Sequence, residues 1–182
     1  DPMVQALTDE ELVFLNIGDF KLKDRSSVVG DSGFAIPGTA GETTSQLKAK
    51  GFPAIIMADG PAGVRLARDY YEDKTGAHSL SSAMLPTMID LLPGPARAAM
   101  RRPKKLPKGV EIKHRYATAI PIGTAIAQSF SLSLAESCGD IVGDEMERFG
   151  IHLWLAPALN IHRSPLCGRN FEYYSEDPLV AG

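Results

Sequence analysis

Residues 131–157 constrain the fold more than any other stretch. Leu134, Cys138, Ile141, Val142, Met146 and Phe149 recur in the order i, i+4, i+7, i+8, i+12, i+15. That spacing sets one apolar stripe along an α-helix. Glu136, Asp140, Asp144, Glu147 and Arg148 lie mostly off the stripe. Ser133 and Glu136 have the spacing of a capping box, and Gly150 suits the left-handed residue that ends a helix. "IHLWLAP" follows at once, a short apolar strand closed by Pro157. A one-striped helix that feeds an apolar strand needs a sheet to lie against.

A partner strand is legible upstream. In "FPAIIMADGPAG", the apolar run Ala54–Ala58 is bounded by Pro53 and Gly60, which suits a buried strand with Asp59 at its C-terminal end. The order strand, excursion, helix, strand predicts an α/β architecture with parallel strands. The stretch between them, 66–116, is Pro-rich and mixed in charge and reads as a long loop excursion; loops of that length inside a domain are functional or mobile. "ATAIPIGTAIAQSF" (117–130) reads as an extended segment and then a loop. Nearer the start, Thr8 and Glu11 form a capping box for a short helix. "TTSQLKAKG" predicts a second helix ending at Gly51, and 17–43 reads as irregular.

The 182 residues suffice for one domain with a sizeable core. A net charge of -3 gives no electrostatic footprint for nucleic acid, and the run "RRPKK" (Arg101–Lys105) reads as a solvated loop. No apolar run approaches the ~18 residues of a membrane span. The first twelve residues lack the basic start and apolar middle of a signal peptide. The compartment stays open, with a cytoplasmic location slightly ahead of a secreted one. Cys138 and Cys167 lack metal-type spacing. His152 and His162 have no Ser or Cys partner at a recognisable spacing, so they read as packing or hydrogen-bonding residues, and His78 and His114 lie in the excursion. No phosphate loop, EF-hand or HExxH string occurs.

Two clusters carry chemistry. In "ADGPAGVR", a tight Gly-Pro turn pins Asp59. Asp59 can accept hydrogen bonds from sugar hydroxyls, with Arg65 donating or holding it; equally, Asp59 can cap a turn while Arg65 pairs with a surface acid. In "HRSPLCGRNFEYYSEDP", Arg163 and Arg169 offer rigid forks of donors beside Glu172, Glu176 and Asp177, with Phe171, Tyr173 and Tyr174 able to pack or line a pocket. The alternative is a salt-bridge network that staples the loop. Ser-Glu-Asp-Pro reads as a helix start, with a cap and acids at its N-terminus.

"ADGPAGVR", "TAIPIGTAIAQSF" and "GDEMERFGIHLWLAPALNIHRSPLCGRNFEYYSEDP" closely resemble glycoside hydrolase family 3, the β-glucosidase family. The likeness is densest over 117–182 and clear over 33–65. It implies a (β/α)8 barrel of the TIM type, of which residues 1–182 form the N-terminal portion. By position in the motif, Asp59 is similar to the aspartate that binds hydroxyls of the terminal sugar, and Arg169 to the arginine that contacts the same sugar. Arg65, Arg163 and Glu172 resemble supporting members of that pocket.

The resemblance implies a retaining hydrolase, in which one carboxylate attacks the anomeric carbon and a second protonates the leaving oxygen and later activates water. The nucleophile of the family sits in a Ser-Asp-Trp-like motif, preceded by a Lys-His pair, and the acid/base comes from another domain. None is present here, so no catalytic residue is assigned and the chain by itself is expected to be inactive. No metal or organic cofactor is implied. A full barrel takes about 250 residues. The expectation is therefore an incomplete barrel whose open edges are hidden by further sequence, by self-association or by repacking. The implied substrate is a β-glucoside or oligosaccharide, with no nucleic-acid or membrane partner. Two alternatives stand beside it: another sugar of the same family, as in a β-xylosidase, and a non-catalytic carbohydrate-binding or scaffold module.

Overall fold

The computed structural model describes residues 1–19, 35–80, 89–101 and 106–182. Much of the predicted irregular stretch 17–43, and all of the basic run except Arg101, lie outside those residues.

The organising element is a pair of parallel strands. β2 (Ile55–Ala58) pairs with β6 (Leu153–Trp154) in parallel, with Met57 opposite Leu153 and Ala58 opposite Trp154. β1 (Gly41–Thr43) adds to the other side of β2 in antiparallel fashion. β2 is buried on one face only, not throughout as its apolar run suggests: Ile56 and Ala58 are buried, whereas Ile55 is 43% exposed. His152 completes the pairing with its ring. The backbone N–H of His152 donates to the Ile56 carbonyl at 2.9 Å, and the Ile56 N–H donates to His152 Nδ1 at 3.1 Å. This histidine is a structural hydrogen-bonding residue, as its sequence context suggested.

Helix α5 (Leu132–Phe149) packs on this sheet and ends at Gly150, whose φ is 72°. Its cap is Ser131, two residues before the predicted Ser133: Ser131 is extended, and its Oγ accepts from the Leu134 N–H at 3.3 Å. Ser133 is already inside the first turn, so it cannot hold the non-helical backbone a cap requires. The apolar stripe is also only partly covered. Cys138, Val142, Met146 and Phe149 join Ile36, Ile56, Ala58, Val64, Ile120, Ile126 and Ile151 in the core. Leu134 and Ile141, on the flank of the stripe, stay 38% and 40% exposed.

Two further segments depart from expectation. Residues 123–130 begin as helix α4 (Gly123–Gln128) rather than a loop. The turn has no side-chain cap, and Ile126 rather than a polar signal fixes it, by insertion into the core. The excursion 66–116 carries regular structure. Strands β3 (Asp69–Asp73), β4 (Gly76–Ser79) and β5 (Lys113–His114) form a separate antiparallel sheet in the order β4-β3-β5, and α3 spans Gly94–Met100. Polar contacts hold that sheet: His114 Nδ1 lies 2.8 Å from Asp69 Oδ1, His78 Nε2 lies 3.1 Å from Asp73 Oδ1, and Lys113 pairs with Glu72. Such residues have little β-propensity and no apolar alternation, which is why the strands were hidden.

The remaining helices are short. α1 (Pro2–Gln5) and α2 (Asp9–Phe14) open the chain, α2 with the predicted Thr8–Glu11 capping box. A 3₁₀ turn covers Ser45–Lys50 before left-handed Gly51. α6 (Pro178–Ala181) is capped by Asp177, whose Oδ1 accepts from the Leu179 N–H at 2.8 Å. Among the described residues no helix is long and apolar enough to cross a membrane.

Ile126→Ala, at a position only 4% exposed, is expected to lower unfolding free energy by roughly 2–5 kcal/mol in urea titrations. Leu179→Ala, at 87% exposure, is expected to change it by less than about 0.5 kcal/mol. The carboxyl of Asp69 is held below the ordinary range by Arg68 and His114, and that of Asp73 by Thr75 and His78. These contacts stabilise the folded form above the unfolded value of about 3.9 and are lost as pH falls through the depressed folded values. Acid titration followed by the His78 and His114 NMR signals is expected to show the second sheet persisting below pH ~4 and loosening earlier in Asp73→Asn.

Candidate functional site

An open cleft of about 570 Å³ lies at the C-terminal end of β2. The turn 59–65, residues 117–119 and residues 169, 171 and 172 line it. Asp59, Arg65, Arg169 and Glu172, four of the five residues singled out from sequence, therefore face one space although 110 positions separate Asp59 from Arg169.

The near wall is the turn after β2. The Arg65 N–H donates to the Asp59 carbonyl at 2.8 Å, and the Gly63 N–H to the Gly60 carbonyl at 3.2 Å. Arg65 Nη2 donates to Asp59 Oδ2 at 2.6 Å. Two glycines make the turn possible. Gly60 and Gly63 adopt φ of 123° and 120°, where a side chain is strained. A Cβ on Gly63 would stand 2.2 Å from the Thr118 carbonyl oxygen, and one on Gly60 would stand 2.0 Å from the Gly63 carbonyl oxygen.

Neighbouring elements lock this turn from two sides. Trp154 on β6 donates its indole N–H to the Gly60 carbonyl at 3.0 Å. The extended segment 117–120 lies over it, with the Ile120 N–H donating to the Ala62 carbonyl at 3.1 Å. Helix α5 fixes that segment: Glu145 Oε1 accepts from the Thr118 N–H at 2.8 Å and from Thr118 Oγ1 at 2.6 Å. Sequence reasoning missed Glu145, and a signal for it existed. It falls seven residues after Cys138, within the apolar stripe, where an acid needs a polar partner.

The far wall is a 3₁₀ turn, Asn170–Glu172, preceded by Arg169. Arg169 and Glu172 share a face of this turn, and Arg169 Nε donates to Glu172 Oε1. Thr124 of α4 donates its hydroxyl to the Tyr173 carbonyl at 2.9 Å. His162 Nε2 lies 3.0 Å from the Asn170 carbonyl and 3.2 Å from the Tyr173 carbonyl. Both partners only accept, so Nε2 carries the proton. Asn170 Nδ2 donates to the Ser164 carbonyl at 2.8 Å. The loop is thus stapled by neutral hydrogen bonds. Of the acids considered for that role, Glu172 pairs inside the cleft and Asp177 caps α6. Arg163 is exposed and outside the cleft lining, and among the described residues it has no ion pair.

The cleft holds two arginines and two carboxylates, so its formal charge balances. The Arg65–Asp59 pair is exposed and contributes little stability, whereas in the Arg169–Glu172 pair the Glu172 side chain is only 10% exposed. Their chemical use lies in what they leave free. Among the described residues Arg169 donates through Nε alone, and Glu172, Tyr173 and Asp59 favour its charged form. Among the described residues, its terminal N–H groups have no acceptor and Asp59 Oδ1 has no donor. A paired array of spare donors and acceptors suits a neutral polyol better than an ion. Asp59 and Glu172 are each bound to a guanidinium. Among the described residues no three potential metal ligands cluster.

Residues 41–182 match the family model described as the glycosyl hydrolase family 3 N terminal domain. Beta-glucosidase A of Butyrivibrio fibrisolvens is 51% identical over 65 residues, covering 36% of this chain and 8% of that protein. Thermostable beta-glucosidase B of Acetivibrio thermocellus is 30% identical over 138 residues, covering 76% of this chain and 14% of that protein. The structure of beta-glucosidase 3B from Thermotoga neapolitana in complex with α-D-glucose superposes with a TM-score of 0.66 and 32% identity, over 99% of this chain and 19% of that one. The matched stretches thus amount to a small part of each of these relatives.

Gly63→Ala is expected to destabilise the chain by about 1–3 kcal/mol through backbone strain, with further loss from the clash with Thr118. Gly139→Ala, in α5 with open space around it, is expected to stabilise by roughly 0.5–1 kcal/mol. Urea unfolding of the two variants measures both.

Proposed function

The chain belongs to glycosyl hydrolase family 3, and on that premise we propose that it supplies the sugar-gripping wall of a retaining β-glucosidase. In this reading, residues 1–182 are the N-terminal portion of a (β/α)8 barrel domain, with β2 and β6 as two of its parallel strands. Asp59 accepts from hydroxyls of a terminal, non-reducing β-D-glucosyl residue. Arg169 donates to the same ring through its terminal nitrogens. Arg65 orients Asp59, and Glu172 orients Arg169. The nucleophile and the acid/base are carboxyl groups supplied from outside this chain, as the family's pattern implies. The observation that carries the reading is the convergence of these four side chains on one cleft at a strand end, the place where barrel enzymes build their sites.

The reaction then proceeds by double displacement at the anomeric carbon. The wall described here does no bond-making. It fixes the ring so that the attacking and protonating groups meet the glycosidic bond in line, which lowers the entropic part of the barrier.

The purified 182-residue chain is expected to leave nitrophenyl β-glucoside unhydrolysed. Glucose titrated against it by NMR is expected to bind with a Kd on the order of millimolar, and Asp59→Asn is expected to abolish that binding. Turnover by the chain alone, or glucose binding that ignores Asp59→Asn, contradicts the proposal. Micromolar binding without turnover favours a carbohydrate-binding module instead.

A further inference from the structure

We infer that Phe171 is a specificity-determining platform on which the flat C–H face of the bound sugar ring stacks. The inference rests on the reading of the cleft as a sugar site and adds a residue which that reading does not use. Other aromatics are more exposed, Phe130 at 82% and Tyr116 at 71%, but neither lines the cleft. Phe171 is 55% exposed and does line it, between Arg169 and Glu172 in sequence. A large apolar side chain left open inside a concave, polar-rimmed site marks a contact surface.

The local backbone explains the placement. In a 3₁₀ turn, residues three apart lie above one another. Arg169 and Glu172 take one such row and pair, which sets Phe171 on a different row. Thr124 and His162 hold this turn through the Asn170 and Tyr173 carbonyls, on either side of residue 171. The ring is therefore carried on a braced backbone. Across the cleft, the Pro61 and Ala62 side chains are apolar and Val64 is only 4% exposed, so side-chain hydrogen bonding falls to the ion-paired residues and to Thr118, whose hydroxyl is already bound to Glu145.

A pyranose with equatorial hydroxyls matches this division. Its hydroxyls point outward around the rim, toward Asp59 and Arg169. Its two faces carry C–H bonds, which suit an aromatic face with its negative π-cloud. An axial hydroxyl on the stacked face would be pressed against the ring with no partner, which costs binding. Phe171 thus selects ring configuration, while Asp59 and Arg169 read hydroxyl positions.

The test is an NMR titration of the 182-residue chain with methyl β-D-glucopyranoside. Ring-current shielding is expected to move the sugar's ring C–H signals upfield on binding to the unaltered chain. Phe171→Leu, which keeps apolar bulk without a π-face, is expected to abolish that shift and weaken binding about tenfold. Phe171→Trp is expected to keep both. Binding to the unaltered chain without an upfield shift overturns the inference, and that readout needs no variant to fold. So does Phe171→Leu binding as tightly as the unaltered chain while Asp59→Asn does not bind, which leaves the sugar reading standing. Failure of the unaltered chain to bind at all overturns both.

Discussion

A backbone carbonyl seated where a side chain would otherwise be is the contact on which the site depends. The Thr118 oxygen occupies the space of the missing Cβ of Gly63. That close approach lets the segment after the excursion lie flat on the turn after β2. Everything on the near wall follows from it. Glu145 holds Thr118 from α5, Trp154 holds Gly60 from β6, and the turn returns Arg65 onto Asp59. Helix, strand and turn are thereby coupled through the side chains of Glu145, Trp154 and Arg65.

The far wall is built on a different principle. Its charged pair, Arg169 with Glu172, faces the cleft, and neutral donors from Thr124 and His162 do the bracing. That separation matters physically. A loop stapled by ion pairs spends its guanidinium donors on structure, whereas here Arg169 commits one nitrogen. The cleft keeps its hydrogen-bonding capacity while its formal charge balances, which suits an uncharged, hydroxyl-rich ligand.

Much of this was legible in the residues, for reasons that differ by element. The periodicity of α5 was readable because its stripe runs along most of an eighteen-residue helix. The strand β2 and its terminal Asp59 were readable because Pro53 and Gly60 bound a short apolar run. The convergence of Asp59 with Arg169 came from the resemblance, since no local spacing links positions so far apart. What escaped was held by tertiary contacts. The second sheet lacks apolar alternation and is joined by His–Asp and Lys–Glu pairs. Helix α4 has no cap and forms because Ile126 enters the core. Arg163 carries the same chemistry as Arg169, but it lies six residues earlier on a loop that the staples do not turn toward the cleft.

The most direct measurement is a crystal structure of the chain grown with glucose. One ring is expected in the cleft, with vicinal hydroxyl oxygens within hydrogen-bonding distance of both the Asp59 carboxylate and the Arg169 guanidinium. An empty cleft at saturating glucose, or a sugar held elsewhere while both arginines keep only their carboxylate partners, would contradict that expectation.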